Sequence, residues 1–246
     1  MNKTKPLLFA AGFVLTMALA LSCSSDSSSS GAGTCDANFR TETIGTQTWM
    51  AENLNCNVGG SKCYDNNPAN CAKYGRLYDW STAMALPASC NSSDCSSQIQ
   101  SKHRGICPAG WHIPSGADWM ALSSYVESDS GCRICDTSNL NAIRIFLKLL
   151  PAFPVCTTCD ASKLKAMSGW NSNGNGTDQY GFSALPGGYR NSDGSFVNVG
   201  DYGFWWSANE DDSYYAYGQY MRYGSDGAGW YYYEKSYLFS VRCIQD

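Results

Sequence analysis

Histidine is almost missing from this chain: His103 and His112 are the only two among 246 residues. No HExxH pair, no serine in a G-x-S-x-G setting and no phosphate-cradling glycine loop occurs. The metallohydrolase, serine-hydrolase and nucleotide-binding classes therefore lack their usual residue patterns. His112 lies between apolar residues in GWHIP and reads as a structural histidine rather than a base. Charge is scarce as well, at 15% of residues, and acids outnumber bases 21 to 17. That is the wrong sign for nucleic acid or an anionic membrane surface. No repeat with a period of about 20 to 50 residues is present, which excludes a solenoid. The longest apolar run, Leu7 to Leu21, is fifteen residues, short of a comfortable membrane span.

What is there begins with MNKTKPLLFAAGFVLTMALALSC, a charged start, a short apolar stretch and small residues before Cys23. This reads as an export signal over residues 1–22. Ala20-Leu21-Ser22-Cys23 resembles a bacterial lipobox, apart from Ala20 where leucine is commoner. The resemblance implies that Cys23 becomes the lipidated first residue of the mature protein. The Ser/Gly tract that follows, to residue 34, has nothing to bury and reads as a flexible tether. The expected location is the bacterial cell envelope, at the outer membrane or cell surface, with acyl chains as the only membrane attachment. Loss of residues 1–22 takes two of the 17 basic residues and none of the 21 acids, leaving a formal charge of −6. Residues 35–246 suffice for one domain with its own core.

Thirteen cysteines less Cys23 leave twelve, an even number that reads as disulfides in an oxidising compartment. Cys132, Cys135, Cys156 and Cys159 form a CRIC and a CTTC separated by 20 residues, the spacing of a four-thiolate zinc site. After export the same four read as two crosslinks. They pin the ends of a segment with Leu140, Ile143, Leu147 and Leu150 at helical spacing. Neither pair stands at a strand-to-helix junction in a βαβ pattern, which argues against a thioredoxin-like role.

TETIGTQTWM alternates about a glycine and predicts a short hairpin. GRLYDWSTAMAL reads as a strand-like GRLY followed by a helix with Trp80, Ala83 and Met84 on one face. Ser115 and Asp118 form a capping box before an amphipathic helix that turns Trp119, Leu122 and Val126 inward. From Gly181 onward short strands and turns follow one another. Helices first and an antiparallel sheet afterwards make a loop-rich α+β domain.

TQTWMAENLN, CYDNNPANCAKYGRLYDW, GICPAGWHIPSGADWMAL, KLKAMSGW, GFSALPGGYR, WWSANE and FSVRCI occur in that order. They resemble the Fibrobacter succinogenes major paralogous (FISUMP) domain of secreted and surface lipoproteins, from about Thr41 to Ile244. The double-CxxC segment, 132–159, departs from that pattern and reads as an insertion. The resemblance implies a C-type-lectin-like fold: about two helices on a twisted antiparallel sheet, stapled by disulfides. It also implies the pairings Cys63–Cys71, Cys90–Cys95, Cys107–Cys243 and Cys35–Cys56, with Cys107 leading into a buried strand. It carries no general activity. A related sulfatase-modifying (formylglycine-generating) activity would need a reactive cysteine pair, which disulfide pairing of all twelve removes. No cofactor is expected and the chain reads as non-catalytic.

Residues 211–235 hold eight of the sixteen tyrosines, plus Trp230, among Gly, Ser and Asp. In an extended SYYAYGQYMRY, Tyr215, Tyr217, Met221 and Tyr223 share one face and Tyr214, Tyr220 and Arg222 the other. A one-sided antiparallel sheet buries only one of these. Tyrosine mixed with serine and glycine is the vocabulary of binding surfaces. The candidate binding set is Tyr214, Tyr220, Arg222, Trp230 and Tyr232, on one side of the last strands, with Tyr217, Phe239 and Val241 in the core. Glu210, Asp211 and Asp212 offer carboxylates for calcium, or simply a solvated turn. As neighbours on a turn they do not face each other across a cleft as a glycosidase requires. The leading reading is an anchored binding module for a glycan or a protein. A catalytic relative of the sulfatase-modifying domains and a purely structural or adhesive envelope component are the alternatives.

Overall fold

A computed structural model describes Met1, Cys35, residues 38–129 and residues 161–246. The signal segment, Cys23, the tether and Cys132, Cys135, Cys156 and Cys159 lie outside the described residues.

The first two strands, β1 (Thr41–Ile44) and β2 (Gln47–Met50), form the expected hairpin. Gly45, at the first turn position with φ +63°, supplies the left-handed backbone that a tight hairpin requires. β2 then pairs with β9 (Ile244–Gln245), which pairs in turn with β3 (Trp111–His112), so the first and last described strands share one small sheet. Helix α1 (Pro68–Tyr74) starts at Asn67, whose side chain accepts the Ala69 N–H, and α2 (Trp80–Ala83) starts at Asp79. Before α3 (Gly116–Asp129), Ser115 donates its hydroxyl to Asp118 at 2.6 Å while Asp118 also accepts the Ser115 N–H at 2.8 Å. The capping box therefore exists, and Trp119, Leu122 and Val126 are buried as its register requires. GRLY forms isolated bridges rather than a strand, Lys62 with Leu77 and Tyr78 with Phe239.

The second sheet orders its strands β5-β4-β6-β7-β8: β4 is Gly187–Arg190, β5 Phe196–Val199, β6 Tyr202–Glu210, β7 Tyr215–Arg222 and β8 Ala228–Glu234. All its pairings are antiparallel except the parallel contact of β4 with β6 at Gly188 and Gly203. The result is a mixed α+β fold with few helices.

This sheet is not one-sided. On one face Trp205 and Met221 pack with Trp119, Trp49 and Phe182 under α3 and the hairpin. On the other, Phe204, Trp206 and Ala216 pack with Phe239, Val241, Trp80 and Tyr78. The cause is the segment Leu238–Val241, which crosses the second face and bridges to Arg190, Tyr78 and Trp205 through Leu238, Phe239 and Ser240. Covered on both sides, β6 is buried from Gly203 to Ala208 regardless of which way each side chain points.

Four disulfides join Cys35 to Cys56, Cys63 to Cys71, Cys90 to Cys95 and Cys107 to Cys243. Cys107 sits in a turn closed by its N–H to the Arg104 carbonyl at 3.1 Å, four residues ahead of β3 rather than at a strand's start. Its partner directly precedes β9, so the bond fastens that turn to the last strand.

Charges buried in this frame are each given partners. Lys235 is fully buried and donates to a Glu210 carboxylate oxygen, to the Ser213 carbonyl at 3.1 Å and to the Ser93 carbonyl at 3.3 Å. Its ammonium also lies 4.9 Å from the Trp80 ring centroid. Arg242 donates to Asn53 Oδ1 at 2.7 Å and to the Phe182 carbonyl, and stacks on the Phe182 ring at 4.2 Å. Burial among neutral acceptors pulls its pKa down to about 9, against the pull of Asp178 and Glu52.

Candidate aromatic binding surface

β7 and β8 pair without a break from Tyr215 opposite Glu234 to Met221 opposite Ala228. This register decides which tyrosines meet. Tyr217 faces Tyr232 and Gln219 faces Trp230, so Tyr215, Tyr217, Trp230 and Tyr232 rise from the α3 side of the sheet. There they form a terrace. Tyr217 lies parallel to Trp230, centroids 5.3 Å apart with 7° between planes. Tyr232 meets Tyr215 and Tyr217 edge-on at 5.6 and 6.4 Å, and Tyr231 stacks on Tyr232 at 4.4 Å around the rim of the strand. β8 is the outermost strand, so nothing in the sheet stands beyond it. Tyr214, Tyr231 and Tyr232 are 60%, 51% and 41% exposed.

The turn before β7 fixes the terrace's lower end. Asp212 accepts the backbone N–H of Tyr214 at 2.7 Å and of Tyr215 at 2.9 Å. Asp211 accepts the Tyr217 hydroxyl at 2.7 Å. Burial and then the Asp211 carboxylate push the Tyr217 phenol well above its ordinary pKa, which keeps it a donor at any physiological pH. The hydrogen bond with Tyr231, first, and its neighbours' charge likewise raise Tyr232.

The five residues picked from sequence do not share one surface. Trp230 and Tyr232 belong to the terrace, and Tyr214 stands in the turn directly before β7. Tyr220 and Arg222 lie on the opposite face, because β7 places Tyr220 opposite Gly229 rather than Trp230. Tyr217, expected in the core, is half-buried on the terrace instead. Parity within one strand was readable, but the register between two was not. Phe239 and Val241 are fully buried, as the alternation predicts.

The three neighbouring carboxylates also go separate ways. Glu210 is held by Lys235 and by the Cys95 N–H at 3.0 Å, Asp211 by Tyr217, and Asp212 by the turn. Among the described residues no group of three or more His, Cys, Asp or Glu converges to hold a metal ion. His112 bonds Asp246 through Nδ1 at 2.8 Å with Asp118 at 3.5 Å from Nε2. Burial opposes its charge, but the two carboxylates outweigh that and raise its pKa above the ordinary histidine value. His103 Nε2 lies 2.7 Å from the Met84 carbonyl oxygen.

A disulfide-bonded α+β domain with an aromatic outer strand is the class these observations define. The chain matches the Fibrobacter succinogenes major domain over residues 43–245 and belongs to that family. No curated protein matches it, and no solved structure does. The four disulfides place the domain in an extracytoplasmic, oxidising compartment. Among the described residues no helix is long and apolar enough to cross a membrane.

Proposed function

We propose that the protein is an exported lipoprotein, anchored through Cys23 at the cell surface, that binds a glycan or protein ligand on its aromatic terrace and catalyses no reaction. The terrace itself carries this reading: half-buried and exposed rings already stacked on one another before any ligand arrives. Rings fixed in advance lose little entropy on binding, and tyrosine and tryptophan dominate the energetics of such contacts. The non-catalytic part is supported by the engagement of the site-like groups. All eight described cysteines outside the leader are in disulfides, and both histidines and Glu210 are tied into the fold.

Two experiments bear on it. Full-length protein partitions into the detergent phase, whereas Cys23→Ser partitions into the aqueous phase; a variant still in the detergent phase ends the anchor reading. Full-length protein in micelles, applied to glycan and peptide arrays, binds a subset of spots, and the double variant Trp230→Ala/Tyr232→Ala loses some of those spots. Its stability falls by about 1–3 kcal/mol, since Trp230 is half-buried against the core beneath α3, so the comparison is made with both proteins folded. Undiminished binding by the double variant, or no binding by the parent, removes the terrace as the site.

A further inference from the structure

The face of the five-stranded sheet opposite the terrace holds a second aromatic array, built differently. Phe204 of β6 is ringed by four tyrosines from four strands of the sheet, its own included. Ring centroids lie 5.0 Å away for Tyr189 of β4, 5.5 Å for Tyr202 of β6, 6.0 Å for Tyr220 of β7 and 5.5 Å for Tyr233 of β8. Below Phe204 lies Phe239, stacked at 4.9 Å and itself stacked on Trp206 at 4.3 Å, so the floor cannot yield. Tyr220 lies flat over β8 at Gly229, where a β-carbon would fall 2.2 Å from its ring; glycine is what lets the ring rest there.

The hydroxyls distinguish this array from ordinary core. A tyrosine in a packed setting usually finds a bond for its O–H, as Tyr78 does with the Leu54 and Cys56 carbonyls and Tyr217 with Asp211. Tyr189, Tyr202, Tyr220 and Tyr233 have half-buried rings, and none of their hydroxyls meets a hydrogen-bond partner among the described residues. Nor are they sealed in: the one fully buried side-chain nitrogen or oxygen without a partner among the described residues is Trp119 Nε1. The four phenols are also close enough to act on one another: after burial, Tyr220, Tyr189 and Tyr202 all help to raise the Tyr233 pKa. Arg222, exposed and opposite Tyr202 in register, is a cationic donor on the same face.

We infer that this array is a saccharide-binding site. The rings offer the flat apolar area on which one face of a sugar ring packs. The surrounding hydroxyls, each both donor and acceptor, match the alternating donors and acceptors of sugar hydroxyls. Phenylalanine would fill the same space, so the uncommitted oxygens have no packing role. The site is separate from the terrace and does not depend on it.

The test removes oxygens and nothing else. Full-length parent protein in micelles, on an array of neutral and acidic oligosaccharides, binds at least one saccharide. Tyr189→Phe/Tyr202→Phe/Tyr220→Phe weakens that binding at least about tenfold while its melting temperature stays where it was, because those oxygens bond nothing in the protein. Trp230→Ala/Tyr232→Ala, which strips the terrace on the other face, leaves it unchanged. A triple variant that binds as the parent does overturns the inference. So does a parent that binds no arrayed saccharide, a loss that follows the terrace variant, or a melting temperature that falls with the oxygens.

Discussion

Cys107→Ala/Cys243→Ala lowers stability by about 5 kcal/mol, while Cys90→Ala/Cys95→Ala costs only about 2 kcal/mol. The first bond closes a span of 136 residues and the second a span of 5. Crosslinking a long stretch removes more freedom from the unfolded chain, and the difference grows with the logarithm of loop length. Both pairs are buried, so lost packing acts on each alike and the contrast isolates the loop effect. For a domain of this size the larger loss lowers the melting temperature by about 10 °C or more. Urea unfolding of the two double variants, the remaining disulfides kept oxidised, reads the difference directly. Equal losses would mean that the unfolded chain retains enough structure to hide the loop closure.

Glu210→Ala costs about 3–5 kcal/mol, since it leaves the fully buried Lys235 ammonium without its counter-charge. The Ser93 and Ser213 carbonyls and the Trp80 ring remain, but dipoles replace only part of a carboxylate. Glu210→Met/Lys235→Met recovers much of the loss, because two apolar chains of similar length remove both desolvated charges together. Chemical denaturation of parent, single and double variants decides the matter. A single variant within about 1 kcal/mol of the parent would show that water reaches Lys235.

Several elements are legible before any coordinates. Gly45 marks the hairpin, Ser115 with Asp118 marks the start of α3, and turn residues separate the strands after Gly181. Those are local signals, satisfied within a few residues. What escapes is set by partners far along the chain. FSVRCI alternates cleanly, which places Arg242 opposite Phe239 and Val241 and so toward solvent if the sheet has one wet face. Here the other face is also covered, and Arg242 enters a second core beside Phe182. Glu210 reads as one of three turn carboxylates, yet its partner is 25 residues away. The split of the aromatic set has the same origin. Alternation sorts the tyrosines of β7 correctly among themselves, but only the pairing of Tyr220 with Gly229 shows which of them meet those of β8.

The position of the closing segment has a consequence for biogenesis. Leu238–Gln245 completes the cover of the five-stranded sheet and supplies the strand that joins β2 to β3. A ribosome makes these residues after every strand they contact. Until they arrive, β2 and β3 have no strand between them and Phe204 and Trp206 have no Phe239 to lie against. Both sheets thus stay incomplete until this segment joins them. The long-range bond from Cys107 to Cys243 then makes that closure durable.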